Sequence, residues 1–238
     1  MENRRKYKRQ LRELVAGELS KLPTIEKDGV RQVVYEKDGR FDYDLYRRVQ
    51  TVGNKAKLAR QWVPEEHIQI LSSYLQGKVW NESLSGVCHG TRSGKEQAWF
   101  RACLSSENVF GTEISDTAED FEHTIQWDFH DTKDEWKGAF DFVYSNSWDH
   151  AFDPKKAFTS WVDTLKPGGV MLLDHGMNYD PSKVDGLDPL GMTQDRLVSY
   201  LEEICGTSGK VVDVLDGGRF GRNGKHRITT VVFQANAA

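Results

Sequence analysis

Three acidic or glycine-marked positions stand where a short apolar run gives way to a turn: Gly90 with Gly94, Glu113, and Asp128. An acid at such a place can accept two hydrogen bonds from a ribose diol, which suits Glu113, or one from an exocyclic amine, which suits Asp128. Phe129, beside Asp128, offers its face to a flat ring. Gly90 and Gly94 lie four apart in CHGTRSGKE (88–96). Such a turn either reverses the chain or brings bare backbone up to a ligand. His89, Thr91 and Arg92 share the turn, and Arg92 can pair either with a ligand carboxylate or with Glu96. Ser145 and Asn146 close a further apolar run. Taken in order, one set per run, these residues suit a ligand that contains a nucleoside.

Two Asp-His pairs follow later apolar runs, Asp149-His150 and Asp174-His175. An imidazole has the ordinary pKa for a base near neutrality. The alternative for each histidine is a structural hydrogen bond to a loop.

The elements that must position these residues alternate. Candidate strands fall at 83–88, 108–114, 123–128, 140–146 and 169–175, and candidate helices at 94–104, 153–165 and 192–204. The central runs are apolar at consecutive positions, as strands covered on both faces are. This layout predicts an α/β fold with a mostly parallel sheet. VVDVLD (211–216) and HRITTVVFQ (226–234) have no helix between them and predict a terminal antiparallel hairpin. The stretch 178–191 reads as a long connection without secondary structure, of the kind that carries function.

The first 62 residues differ from the rest. Residues 2–22 predict a charged helix ended by Pro23, RQVVY (31–35) a strand, 43–62 one or two helices broken near Gly53, and 64–75 another helix opened by Pro64. We expect 1–62 to be a mainly helical extension or substrate cover, and 63–238 to be the ligand-binding domain. Residues 1–62 carry 16 Lys and Arg against 9 Asp and Glu, a local +7; residues 63–238 carry 16 against 27, a local −11, giving −4 in all. The overall balance marks no polyanion binder, but the basic end leaves RNA open through phosphate contacts. The three cysteines, Cys88, Cys103 and Cys205, show neither disulfide nor zinc spacing. They fit a reducing compartment, so a cytoplasmic location is expected. No segment approaches eighteen apolar residues, so no membrane span is expected.

The order of runs resembles the Rossmann-like, class I S-adenosylmethionine-dependent methyltransferases. GVCHGTRSGKEQAWF (86–100) is similar to their strand and glycine-rich loop, FGTEIS (110–115) to the motif whose acid takes the ribose hydroxyls, and IQWDFHD (125–131) to the motif whose acid meets adenine. FDFVYSNSWDHAFDPKKAF (140–158) is similar to the fourth strand, and LKPGGVMLLDH (165–175) to the turn and fifth strand. The resemblance covers about residues 65–235. It implies a seven-stranded sheet with a C-terminal antiparallel hairpin, helices on both faces, and S-adenosylmethionine as cofactor. It places His89, Gly90, Thr91, Arg92, Gly94, Glu113, Asp128, Phe129, Ser145 and Asn146 around that cofactor, and Asp149, His150, Asp174 and His175 near the transferred methyl group. The first loop departs from the family in lacking its opening acid. One branch of the family holds a diol acceptor on a divalent metal, a set that Asp149, Asp174 and His175 could imitate, but no metal is expected here. SNSWDHAF (145–152) lacks the two prolines of amino-methylating members, so an O-methyl acceptor on a small molecule or glycan is the expected substrate. RNA methylation and a binding protein without catalysis are the alternatives, and a homodimer is a further candidate assembly.

Overall fold

The computed structural model describes residues 2–78 and 83–237. In chain order the N-terminal part contains α1 (Glu2–Ala16), strands β1 (Thr24–Lys27), β2 (Val30–Val33), β3 (Glu36–Lys37) and β4 (Arg40–Phe41), and helices α2 (Tyr43–Lys57) and α3 (Glu65–Lys78). Then follow β5 (Gly86–His89), α4 (Lys95–Leu104), β6 (Val109–Glu113), β7 (Thr124–Gln126), β8 (Phe140–Ser145), α5 (Pro154–Asp163), β9 (Leu165–His175), β10 (Leu190–Met192), α6 (Gln194–Cys205), β11 (Gly209–Phe220) and β12 (His226–Ala235).

The helix starts have local causes. Asp42 accepts from the Leu45 amide at the head of α2, Asp153 from Lys156 at α5, and Thr193 from Arg196 at α6. Each satisfies an amide with no partner inside its helix. Pro154 sits in the first turn of α5, where its missing N–H costs nothing.

Seven strands form one sheet in the order β11-β12-β9-β8-β5-β6-β7. β5 to β9 run parallel, and β12 pairs antiparallel with both β9 and β11. The fold is the mostly parallel α/β sheet with a C-terminal antiparallel hairpin that the sequence predicts. Adjacent residues of one strand go to opposite cores. Val87, Val143 and Leu173 pack with Trp161, Leu197 and Phe233 on one face. Cys88, Tyr144 and Leu172 pack with Phe100, Leu71 and Ile68 on the other. This two-sided burial is why the strand runs are continuously apolar. Strand order reverses at β5, which has β6 on one side and β8 on the other, so a crevice opens beyond their carboxyl ends.

The N-terminal part contains more strand than its sequence suggests. β1, β2 and β10 form a second, three-stranded sheet, with Val30, Arg31 and Gln32 of β2 opposite Met192, Gly191 and Leu190. Residues 178–191 are therefore not bare: two short 3-10 turns and the start of β10 lie within them. A three-residue strand has no periodicity to read; it forms because β2 supplies the ladder. Helix α2 runs unbroken through Gly53, whose buried face lies against Leu187. A third apolar cluster of Leu19, Tyr35, Leu45, Tyr46 and Val49, with Ile114, Phe152 and Leu187, seats α2 over the strand ends. No helix among the described residues is long and apolar enough to cross a membrane.

Candidate functional site

The loop after β5 is shaped by three left-handed residues, Gly90 (φ 75°), Arg92 (φ 42°) and Gly94 (φ 70°). At Gly90 the requirement is also spatial: a Cβ there would stand 2.6 Å from the Ser147 Cβ. Arg92 adopts a conformation that a side chain disfavours, held there because its amide donates to Glu113 Oε2 at 3.1 Å. The amides of Gly90 and Thr91 both donate to the Thr112 carbonyl, at 2.9 and 3.1 Å. The loop is thus tied to the end of β6.

Gly90, Arg92, Glu113, Asp128 and Phe129 meet in one pocket, roofed by Tyr46, Gln50, Asn54 and Lys57 of α2 and closed by His150 and Leu187. Glu113 is buried, and its Oε1 accepts from the Ser115 amide at 3.0 Å. Burial pushes its carboxyl up, against the pull of the Ser115 amide and of Arg92. Asp128 Oδ1 accepts from the amide and Nδ1 of His130, at 3.0 and 2.7 Å, and Oδ2 accepts from the Tyr43 hydroxyl at 2.8 Å. Burial opposes its ionised form, but the bonds from His130 and Tyr43 hold the carboxyl below its ordinary value. His130 Nε2 accepts from the Phe152 amide, so its ring proton is on Nδ1. Arg92 makes no ion pair with Glu96; its guanidinium donates to the Arg60 carbonyl at 3.4 Å and lines the pocket.

Other expected residues stand beside this pocket and not on its wall. His89 points into the core, stacked on Trp161 with ring centroids 4.8 Å apart, and its Nδ1 bonds Thr112 Oγ1 at 2.8 Å. Burial drives its pKa down to about 3, so it is an uncharged packing residue. Thr91 is buried, and Gly94 caps α4. Ser145 Oγ accepts from the Ser147 amide, and the Asn146 amide group donates to Glu96 Oε1 at 3.2 Å. Ser145 and Asn146 thus brace the turn that presents Ser147.

The two Asp-His pairs separate. Asp174 is buried under the sheet's antiparallel side, where it accepts from His67 Nε2 (2.8 Å), Thr230 (2.7 Å) and Tyr144 (2.6 Å). His67 also donates from Nδ1 to the Gly217 carbonyl at 3.0 Å, so both its nitrogens carry protons and it neutralises Asp174. Burial works against the charged ring, but Asp174 raises its pKa. His175 donates from Nε2 to the Met192 carbonyl at 2.9 Å and stacks near Trp148 and Tyr179. Neither residue reaches the pocket; both are occupied in holding β9 to its neighbours.

Asp149 and His150 are different. Gln50 donates from Nε2 to the Leu187 carbonyl at 3.0 Å, which leaves its Oε1 to accept from His150 Nδ1 at 2.8 Å. The His150 proton is therefore on Nδ1 and the Nε2 lone pair is free. Nε2 faces Asp188 Oδ1 at 3.6 Å and Asp149 Oδ1 at 4.0 Å, and Lys57 Nζ stands 3.5 Å from the same Asp188 oxygen. Burial lowers the His150 pKa to about 4, so the ring is neutral at pH 7. Burial and the nearby Asp188 push Asp149 up, whereas His150 and Lys57 hold Asp188 down against its own burial.

The sequence reading expected a helix over 43–62 but missed the α2 side chains that line the pocket, and it missed Asp188. Tyr46, Gln50, Gly53, Asn54 and Lys57 form one helical stripe that is polar yet turned inward. A mixed polar stripe at that spacing, flanking the apolar residues Leu45, Val49 and Ala56 of the same helix, was the available signal. Asp188 had none, since its loop has no period.

No protein-family model matches the chain, and no curated protein matches its sequence. Solved structures do resemble it. The 1,6-didemethyltoxoflavin N1-methyltransferase of Burkholderia thailandensis, solved with 1,6-didemethyltoxoflavin and S-adenosylhomocysteine, matches with a TM-score of 0.61 at 12% identity, over 90% of this chain and 99% of its own. The N-methyltransferase NodS of Bradyrhizobium japonicum WM9, with S-adenosylhomocysteine, matches at 0.53 and 14% identity, over 78% and 98%. The glycopeptide N-methyltransferase MtfA, with the same compound, matches at 0.50 and 13% identity, over 69% and 88%. The fold is that of the class I S-adenosylmethionine-dependent methyltransferases.

Proposed function

We propose that the protein transfers a methyl group from S-adenosylmethionine to an acceptor held beside Asp149, His150 and Asp188. One observation carries the cofactor reading: the left-handed loop, Glu113, Asp128 and Phe129 meet in one pocket at the ends of adjacent strands. Glu113 has the position to accept from the ribose hydroxyls, Asp128 from the adenine amine, and Phe129 to lie against the ring. Arg92 is the cation placed to meet the carboxylate of the methionine end. When bound, the cofactor supplies an already activated methyl group.

The acceptor we favour is a hydroxyl of a small molecule or glycan. Asp149 Oδ1, Asp188 Oδ1 and His150 Nε2 are hydrogen-bond acceptors grouped together, and a polyol would bring hydroxyl donors to them. In the transfer the sulfur–methyl bond breaks, an oxygen–methyl bond forms, S-adenosylhomocysteine leaves, and the hydroxyl proton passes to this acidic and imidazole group. Holding the two reactants in line supplies much of the acceleration. A second reading, an amine acceptor, is favoured by the same two carboxylates, which would also hold an ammonium.

Titration calorimetry with S-adenosylhomocysteine tests the cofactor; no binding at millimolar concentration sinks the proposal. Transfer from cofactor labelled with ¹³C at the methyl, across a panel of glycans and metabolites, then tests the acceptor. The carbon shift of the product separates a methyl ether from an N-methyl amine.

A further inference from the structure

We infer that Asp149, His150 and Asp188 form a binding site for one divalent transition-metal ion of the Mn²⁺ type. One ligand atom from each of Asp149, His150 and Asp188 lies within 4.8 Å of the other two, with His150 Nε2 4.0 Å from Asp149 Oδ1 and 3.6 Å from Asp188 Oδ1.

Three features distinguish this group from a chance meeting of acids. First, Asp149 is only 7% exposed, and its Oδ1 has no hydrogen-bond partner among the described residues. A buried, unpaired carboxylate oxygen is costly and calls for a proton or a cation. Second, the lone pair of His150 is aimed by a partner on its other nitrogen. Leu187 fixes the Gln50 amide, Gln50 fixes the Nδ1 proton, and Nε2 is left bare towards both carboxylates. This is how ligand histidines are oriented. Third, the Asp188 Oδ1 atom is buried and faces the bare His150 Nε2 at 3.6 Å, with the Lys57 ammonium of α2 3.5 Å away.

Two carboxylate oxygens and one imidazole nitrogen suit Mn²⁺, Fe²⁺, Co²⁺ or Zn²⁺ better than the all-oxygen cages of Ca²⁺ or Mg²⁺. Ligand bonds of about 2.0–2.2 Å need neighbouring donors roughly 3 Å apart. From the present 3.6 and 4.0 Å to the imidazole, and at most 4.8 Å between the carboxylates, this asks for closure by about 1–2 Å. Asp188 rides on a loop and can supply it, while Lys57, on a flexible stem, can turn outward. Three protein ligands leave coordination positions open towards the pocket. An acceptor oxygen bound there would become more acidic, a task that falls to the free Nε2 when no cation is present. The inference rests on the proposed methyl transfer only for the use of the ion, not for its binding.

The test is an electron paramagnetic resonance titration of the full, chelator-treated chain with Mn²⁺. We expect one saturable ion per chain, and an affinity at least tenfold lower in Asp149→Asn and Asp188→Asn. Calorimetry with S-adenosylhomocysteine on the same samples should stay within about threefold of wild type. Spin-echo modulation of the bound Mn²⁺ should show one imidazole nitrogen, absent in His150→Gln; this reading uses the wild-type fold and stands even if a carboxylate variant misfolds. No saturable Mn²⁺ in the wild type, undiminished binding in both carboxylate variants, or no imidazole coupling overturns the site. Mn²⁺ binding without S-adenosylhomocysteine binding would overturn the cofactor reading and leave the metal site standing.

Discussion

Asp128 is the residue whose chemistry is most open to test. Its Oδ2, which the proposed cofactor reading would offer to an adenine amine, is held by the Tyr43 hydroxyl at 2.8 Å. On that reading, cofactor binding would displace or share that donor. Hydrogen bonds to a charged group contribute about 1.5–3 kcal/mol. Asp128→Asn should then raise the S-adenosylhomocysteine dissociation constant by about tenfold or more, since an amide nitrogen can face the amine. Tyr43→Phe removes a competitor and should leave affinity equal or a few-fold tighter. Calorimetry on both variants decides it, and wild-type affinity in Asp128→Asn would take Asp128 out of the cofactor site. Glu113 is a harsher position. Its carboxylate also fixes the Arg92 and Ser115 amides, so Glu113→Ala should cost loop order as well as ribose contacts.

At the scale of elements, α1 and the β1-β2 hairpin have separable roles. Helix α1 carries much of the basic charge, including Arg5, Lys6, Lys8, Arg9 and Arg12, but lines no part of the pocket. Deleting residues 2–16 should leave cofactor affinity and small-molecule turnover within about twofold. A large loss of turnover would instead bring α1 to the acceptor and revive RNA as substrate. β2 is the centre of the small sheet and holds β10, which anchors the loop bearing Leu187 and Asp188. The Tyr35 hydroxyl also donates to the Gly186 carbonyl of that loop. Deleting residues 2–41 should therefore lower kcat/KM at least tenfold while cofactor affinity falls less. Equal losses in both would mean that the whole N-terminal part simply stabilises the fold.

For the molecule as a whole, charge and pH are linked to docking. Part of the basic excess of the N-terminal region pairs with acids of later loops, as in Lys55–Asp116 after β6 at 2.6 Å and Lys57–Asp188 before β10 at 3.5 Å. The core contains His89, neutral when folded because burial lowers its pKa from 6.5 to about 3. The unfolded chain binds that proton as pH falls through 6.5 and the folded chain does not, so stability must drop on acidification below 6.5. For one such group the loss by pH 5 is about 2 kcal/mol. Buried Glu96 and Glu113, with raised pKa values, act in the opposite direction above their ordinary range, so the difference between two proteins is the useful quantity. Urea unfolding at pH 7 and pH 5 should show wild type losing about 2 kcal/mol more than His89→Leu. Parallel pH profiles would mean that His89 is protonated in the fold.

The sequence by itself determined the α/β order, the glycine-marked loop and the acids at the ends of β6 and β7. These are local properties: continuous apolar runs, turn residues, and one acid after each run. It could not say which way a strand-end residue points. His89 follows the strand register into the Trp161 core, while Gly90, one residue on, reaches the pocket. Asp174-His175 and Asp149-His150 look alike in sequence, yet the first is consumed by His67, Thr230, Tyr144 and Met192, and the second is left facing Asp188. Partners distant in sequence made that distinction: α2 supplied Gln50, and a loop anchored by β2 supplied Asp188. Local pattern fixes what an element is, but the donors and charges around a side chain come from other elements, and only their packing decides them.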